Sequence, residues 1–204
     1  MRSSNLVRDG NGWETKARNT HFADEHLEVA TEVVQTPSRP KPKAWTVVRR
    51  KAAVVIAAMR GDGRFLLVRQ ERVPIRSAIW ETPAGQIDDA EEPNEKQVRA
   101  AALRELLEET GHELAAGGEL IPLGYYFCSP GFTDEHGYFF LARPVQPRAG
   151  DFTRDEAESI LDCSAFTVEE LRRMIAQNEI RDANTLSIWA KLGALGLLPL
   201  GGRA

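Results

Sequence analysis

The sequence predicts a mixed α/β domain, and three stretches carry that prediction. Residues 52–58 are apolar throughout, which is typical of a strand covered on both faces. Residues 94–110 contain no glycine or proline and consist mainly of Ala, Leu, Glu and Arg, which favours a helix. Apolar or alternating stretches at 119–128 and 136–142 indicate further strands. Strands therefore precede and follow one strong central helix.

The first fifty residues predict a small antiparallel β module behind a flexible arm. Residues 1–20 are polar and rich in Asn, Gly and Arg, so we expect a flexible arm there. A strand-like run at 26–34 is followed by the segment 37–42, which has three prolines in six residues. Such a segment cannot lie inside a central strand and predicts a turn or stiff connector. We therefore divide the remaining chain into an N-terminal β module at 21–50 and a main domain at 51–204.

The other elements of the main domain follow in order along the chain. An Asp-Gly pair within 60–64 predicts a hairpin that leads into the apolar run 65–68. A short strand is expected at 79–82, just before an Ala-Gly turn. Gly111 is a natural end for the central helix. After a polar loop, helical periodicity returns at 168–177 and 182–195.

Composition and charge exclude several classes of function. The chain has 204 residues, with 26 Lys and Arg against 30 Asp and Glu, and a formal net charge of −4. Such a chain lacks the basic domain that broad contact with a nucleic-acid backbone requires. Its longest apolar run, 52–59, is far shorter than the roughly 20 residues that span a bilayer. With no targeting segment and two scattered cysteines, we expect a cytoplasmic protein without membrane or nucleic-acid partners.

The end of the central helix concentrates carboxylates. At about 100° per residue, one predicted face is apolar and the opposite face carries Glu105, Glu108 and Glu109. Like charges one turn apart repel by a few tenths of a kcal/mol, and a divalent cation would reverse that effect. Carboxylate oxygens without His or Cys suit Mg²⁺ or Mn²⁺. The apolar face is predicted to contain Leu103, Leu106, Leu107 and Thr110. The alternative to a metal site is that the glutamates form a plain solvated face of the helix.

This stretch resembles the signature of the Nudix hydrolases, G-x5-E-x7-R-E-U-x-E-E-x-G-U with U aliphatic. The fixed positions of that signature correspond here to Gly85, Glu91, Arg104, Glu105, Leu106, Glu108, Glu109 and Gly111. Twelve residues separate Glu91 from Arg104 where the family pattern has seven, an insertion of five residues. His112 stands where an aliphatic residue is usual. The insertion precedes the helical half and leaves the spacing of its three glutamates unchanged.

Four further segments resemble the ADP-ribose pyrophosphatase branch of this family, in the same order along the chain. They are RQERVP at 69–74, ETPAGQID at 81–88, SPGFTDE at 129–135 and EIRDANT at 179–185. The resemblance implies a Nudix-type α/β/α sandwich with a mixed sheet. It also implies metal-dependent hydrolysis of ADP-ribose to AMP and ribose 5-phosphate, by a homodimer that pairs through the N-terminal module.

The resemblance assigns roles to individual residues. It implies that Mg²⁺, with Mn²⁺ as an alternative, is held by the carbonyl of Ala84 and by Glu105, Glu108 and Glu109. Glu135 would position or deprotonate the attacking water, which makes it catalytic together with Glu105 and Glu109. Arg104 would hold the helix and the preceding loop together, between the motif glycines Gly85 and Gly111. The candidates for nucleotide contact are Arg72, Glu81 and Phe132.

Three alternatives stay open at this stage. Arg72 and Glu81 could equally form an ordinary cross-strand ion pair. The substrate could be another nucleoside diphosphate sugar, such as a GDP- or UDP-sugar, because base recognition depends on a few pocket contacts. The chain could also be a non-catalytic nucleotide-sugar sensor, since a fold does not guarantee activity. The three retained helix glutamates argue against the sensor.

Overall fold

The N-terminal part of the chain forms a separate small sheet. The computed structural model describes residues 6–7, 10–87, 93–150 and 159–198. The small sheet is antiparallel and has the strand order β1-β2-β3. Its strands are β1 (Glu14–Ala23), β2 (Leu27–Gln35) and β3 (Lys43–Arg50). This agrees with the predicted antiparallel module.

The main sheet is mixed. Its central path runs β10-β5-β4-β9-β8, with β6 paired to β5 and β7 paired to β4. Only the β4–β9 pair is parallel among the described pairings. The strands are β4 (Ala53–Arg60), β5 (Phe65–Arg72), β6 (Ser77–Glu81), β7 (Ala84–Gln86), β8 (His112–Phe127), β9 (His136–Pro147) and β10 (Ile160–Phe166).

Helices cover both faces of the main sheet. They are α1 (Glu95–Thr110), α2 (Val168–Ala176) and α3 (Ala183–Ala194). Successive side chains of a strand point to opposite faces. Val54 and Ile56 of β4 accordingly pack on the α1 side, and Val55 packs on the α2 and α3 side. These two cores make the α/β/α sandwich that the resemblance implied.

The start and the end of α1 follow the local chemistry of the chain. Asn94 is the N-cap, and its side chain accepts hydrogen bonds from the N–H groups of Lys96 and Gln97. The Gln97 side chain accepts in return from the Asn94 N–H, which completes a capping box. The helix ends at Gly111, whose φ of 68° lies in the left-handed region that favours glycine.

The structure differs from the sequence prediction at several elements. The expected Ala-Gly turn is the strand β7, and β8 begins at His112 instead of at 119. β1 covers Glu14–Ala23, so the small sheet begins inside the segment that we expected to be a flexible arm. Every residue of β1 is exposed, and the strand therefore shows no alternating apolar pattern. β9 continues to Pro147, into the expected polar loop, and β10 was not predicted. Within the described residues, no helix has the length and apolar character needed to cross a membrane.

Candidate active site

Two glutamates of α1 point into the protein. Glu105 and Glu109 are only 3% and 1% exposed, whereas Leu103 is 41% exposed. The predicted orientation of the helix was therefore wrong for these side chains, and the solvated-face alternative fails for Glu105 and Glu109. Burying a carboxylate costs several kcal/mol unless it is paired. Two buried carboxylates one helical turn apart thus indicate a functional site.

Glu109 contacts the open edge of β7. The N–H of Ala84 donates to Oε2 of Glu109 at 3.0 Å. On the other edge of β7, the N–H of Ile56 donates to the carbonyl of Pro83 at 2.8 Å. The next pair, Val55 with Ala84, is therefore a non-hydrogen-bonded pair of this antiparallel ladder. The N–H and carbonyl of Ala84 consequently point away from β4, toward the side that Glu109 occupies.

Glu105 lies directly against Gly85. A Cβ built on Gly85 would stand 2.0 Å from the carboxyl carbon of Glu105. Real Cβ contacts under 3.0 Å essentially never occur, so the position requires glycine as long as Glu105 stays in place. The close approach brings the carboxylate onto the backbone of β7.

Arg104 ties α1 to β7 and to its own neighbours. Its guanidinium lies 2.7 Å from Oε1 of Glu105 and 2.6 Å from Oε2 of Glu108. It also donates to the carbonyl of Gln86 at 3.1 Å. These contacts suit a residue that holds the helix against the strand, as the resemblance implied.

The donor types of this site fit a hard divalent cation. Carboxylate oxygens and a backbone carbonyl are the ligands that Mg²⁺ and Mn²⁺ prefer. Within the described ranges, however, no three acidic side chains are gathered closely enough to hold an ion. Arg104 occupies oxygens of Glu105 and Glu108 instead. A bound cation would compete with Arg104 for these two carboxylates.

Arg72 and Glu81 form an ion pair. Nε of Arg72 donates to the two carboxylate oxygens of Glu81 at 2.9 and 3.2 Å. Burial raises the pKa of Glu81, and the bonds from Arg72 offset that rise only in part. The hydrogen bonds to Glu81 raise the pKa of Arg72, against the effect of burial, and the charges of Asp182 and Glu109 add to the rise. The ion pair that the sequence left open therefore forms, and its charge lies near Glu109.

A buried polar chain supports the segment between Glu81 and Ala84. The N–H of Thr82 donates to Oγ1 of Thr185 at 2.9 Å, and that hydroxyl donates to Oδ2 of Asp182 at 2.8 Å. Both threonines are almost completely buried. Asp182 also caps α3 by accepting from the N–H of Thr185. Sequence reasoning gave no role to either threonine, although an Asp three residues before a Thr at a predicted helix start is a capping signal.

Replacing Thr185 by Val is expected to lower the free energy of unfolding by about 1–3 kcal/mol. Valine keeps the shape of the side chain but leaves the buried N–H of Thr82 without its acceptor. Urea denaturation of wild type and variant measures the difference. Thr185→Ser is the matched control, because it retains the hydroxyl. A Val variant as stable as wild type would contradict the structural role of this chain.

Glu135 lies in a loop between β8 and β9, on the side of the small sheet. Its carboxylate pairs with Nη1 of Arg50 at 2.7 Å. Glu135 therefore contacts Arg50 of β3 and Cys128, the residue that follows β8. Neither of these two contacts is with α1. Phe132 of the same loop is 54% exposed. The structure thus separates the predicted residues into an α1–β7 group and a loop group.

The charge of Asp182 acts on residues that lie beside these two groups. Its charge raises the pKa of Glu81 and, as smaller contributions beside burial, the pKa values of Tyr126 and Cys128. The charge of Glu135 acts on Tyr126 and Cys128 in the same direction. Burial is the main cause of the raised pKa of Cys128, which opposes the thiolate that a nucleophilic cysteine needs.

Comparison with known proteins places this chain in a family. The family model of the NUDIX domain matches residues 48–187. The ADP-ribose pyrophosphatase of Bacillus subtilis is 30% identical, over 84% of this chain and 88% of that protein. The GDP-mannose pyrophosphatase of Klebsiella pneumoniae is 31% identical, over 74% of each chain. A crystal structure of an ADP compounds hydrolase shares the fold, with a TM-score of 0.70 and 18% identity over 94% of this chain and 100% of that chain.

Proposed function

The chain belongs to the NUDIX domain family and is a Nudix hydrolase, and from this premise we propose that it hydrolyses the pyrophosphate bond of ADP-ribose to AMP and ribose 5-phosphate. One observation carries the proposal. Glu105 and Glu109 are buried against the Ala84–Gly85 edge of β7, which fits a hydrolytic metal centre better than a plain solvated helix face. The similarity to the B. subtilis ADP-ribose pyrophosphatase supports the choice of substrate.

We propose Mg²⁺ as the cofactor, with Mn²⁺ able to replace it. Nudix hydrolases are generally dependent on divalent metals. The ligands would be the carbonyl of Ala84 and the carboxylates of Glu105, Glu108 and Glu109. A bound cation would supply charge neutralisation for the pyrophosphate oxygens and would make an attacking water more acidic. In the structure, Arg104 holds Glu105 and Glu108, and the N–H of Ala84 holds Glu109.

Glu135 would position or deprotonate the attacking water. A carboxylate within hydrogen-bond reach of a water can accept its proton. The side chain is partly exposed, and its ion pair with Arg50 aligns it at the loop. At the other end of the substrate, Arg72 with Glu81 and the exposed ring of Phe132 are proposed to contact the nucleotide. An exposed aromatic face suits base stacking.

The GDP-mannose pyrophosphatase relative favours a second candidate, another nucleoside diphosphate sugar. A substrate panel with ADP-ribose, GDP-mannose and a UDP-sugar, with products identified by mass spectrometry, separates the two. We expect kcat/KM for ADP-ribose to exceed the others by at least about tenfold, the scale that a few pocket contacts provide. A preference for GDP-mannose would establish the second candidate. The absence of turnover on every substrate would favour the sensor.

We also propose a cytoplasmic homodimer that pairs through the small sheet. β1 is an edge strand with every residue exposed, including Phe22, and the ring of Trp13 just before the strand is exposed as well. Long exposed edges of this kind readily pair with another chain. Light scattering should give twice the chain mass of 22.7 kDa. A mass near that of one chain would contradict the dimer. Neither Cys128 nor Cys163 forms a disulfide, which is consistent with a reducing compartment.

A further inference from the structure

A buried carboxylate in the small sheet has no part in the proposed chemistry. Glu32 of β2 is 3% exposed, although most of the small sheet is accessible. Arg49 of β3 satisfies it, because Nε and Nη2 of Arg49 donate to Oε1 and Oε2 at 2.9–3.0 Å. Arg18 of β1 approaches the same carboxylate at 3.7 Å. A buried charge of this kind must be well paired. The bonds from Arg49 provide this pairing, and they fix the carboxylate of Glu32 and the guanidinium of Arg49 relative to each other.

The same arginine reaches out of the small sheet to the catalytic loop. Nη1 of Arg49 donates to Oδ2 of Asp134 at 2.9 Å. The other oxygen of Asp134 accepts from the N–H of Arg50 at 3.0 Å. Burial alone would lower the pKa of Arg49, but the bonds to Glu32 and Asp134 raise it, so the guanidinium stays charged. The planar guanidinium of Arg49 therefore joins Glu32 of the small sheet to Asp134, the residue immediately before Glu135.

Backbone hydrogen bonds fix the loop at the same place. The N–H of Val48 donates to the carbonyl of Phe132 at 2.8 Å, and the N–H of Asp134 donates to the carbonyl of Val48 at 3.3 Å. On the other side, the carbonyl of Glu135 accepts from the N–H of Cys128, the residue that follows β8, at 3.0 Å. The main chain at Glu135 is thus held between β3 and β8.

We propose that Arg49, fixed by Glu32, is a positioning residue that holds the Asp134–Glu135 segment in its catalytic arrangement. The small sheet then sets the geometry of the loop glutamate, in addition to any part in dimer formation. This inference rests on the proposed role of Glu135. A displacement of a reacting group by about 1 Å can cost up to about a hundredfold in rate, so a fixed loop has a direct kinetic consequence.

The test uses Asp134→Ala in the full chain, because this variant removes the loop partner of Arg49 and leaves both residues of the buried Glu32–Arg49 pair in place. We expect kcat with ADP-ribose to fall at least about tenfold, with KM changed less than about threefold. Amide hydrogen exchange over residues 129–135 should become faster. Arg18→Met is the matched control, since it removes the second cation beside Glu32 but does not contact the loop. It should match wild type in kcat and in exchange at 129–135.

Two results would overturn the positioning role. One is a wild-type kcat in Asp134→Ala, and the other is unchanged exchange at 129–135 in that variant. Failure of the proposed function has a different signature, because wild type itself would then turn over no substrate of the panel. The exchange comparison needs no turnover, and in that case it decides alone whether the Asp134 carboxylate, which accepts from the side chain of Arg49 and the N–H of Arg50, fixes the loop.

Discussion

Replacing Glu109 by Gln should lower kcat by at least about a hundredfold while the protein stays folded. Glutamine has the same shape and retains an oxygen that can accept from the N–H of Ala84. What it loses is the negative charge, which is the property that a metal ligand supplies. Because the side chain is buried, no solvent group can replace that charge. Steady-state kinetics at saturating Mg²⁺, with thermal unfolding followed by circular dichroism, measure both quantities.

The control for this variant is Glu95→Gln. Glu95 is an exposed carboxylate in the first turn of the same helix, so its replacement removes an equal charge away from the site. The Glu95 variant should retain wild-type kcat and lose at most about 1 kcal/mol of stability through the helix dipole. A Glu109→Gln enzyme with the kcat of wild type would contradict the proposed metal site.

Replacing Gly85 by Ala should reduce kcat at least about tenfold and lower the free energy of unfolding by about 1–3 kcal/mol. The new Cβ would meet the carboxyl carbon and both oxygens of Glu105 at 2.0–2.3 Å. These atoms are the end of a flexible side chain, so Glu105 can rotate away at a cost of about 1–3 kcal/mol. The carboxylate then no longer lies on β7, and the site loses a proposed ligand.

Gly61→Ala is the matched control for the glycine variant. A Cβ at Gly61 would meet no heavy atom within 4 Å, and the backbone there does not require a positive φ. Kinetics and urea denaturation of both variants separate a local effect on the site from a general effect of the added methyl group. Wild-type kcat in Gly85→Ala would show that the position of Glu105 against Gly85 is unimportant for turnover.

Elements with strong local signals could be predicted from the sequence. The continuous apolar run of β4 reflects burial on both faces of the sheet, and Gly111 adopts the left-handed conformation expected after a helix. β1 escaped prediction because its pairing with β2 leaves all its side chains in solvent. A strand that buries nothing has no apolar pattern to read.

The residue types of the candidate site could be predicted from the sequence, but their geometry could not. Hydrophobic periodicity assigns the core side of a helix to its leucines, so it placed Leu103 inward and the glutamates outward. Glu105 and Glu109 are buried because they contact β7, and periodicity does not register a buried charge. The bond between Thr82 and Thr185 joins residues distant in sequence, and the contact of Arg49 with Asp134 does the same. Such contacts depend on the fold and leave no local pattern.

The most direct test of the proposed function is ADP-ribose cleavage in heavy-oxygen water, with and without Mg²⁺, followed by mass spectrometry. We expect AMP and ribose 5-phosphate in equal amounts, with the heavy oxygen in the phosphate of one product. Excess chelator should abolish the reaction, and added Mg²⁺ or Mn²⁺ should restore it. Full product formation in excess chelator, or no cleavage of ADP-ribose with either metal, would contradict the proposed function.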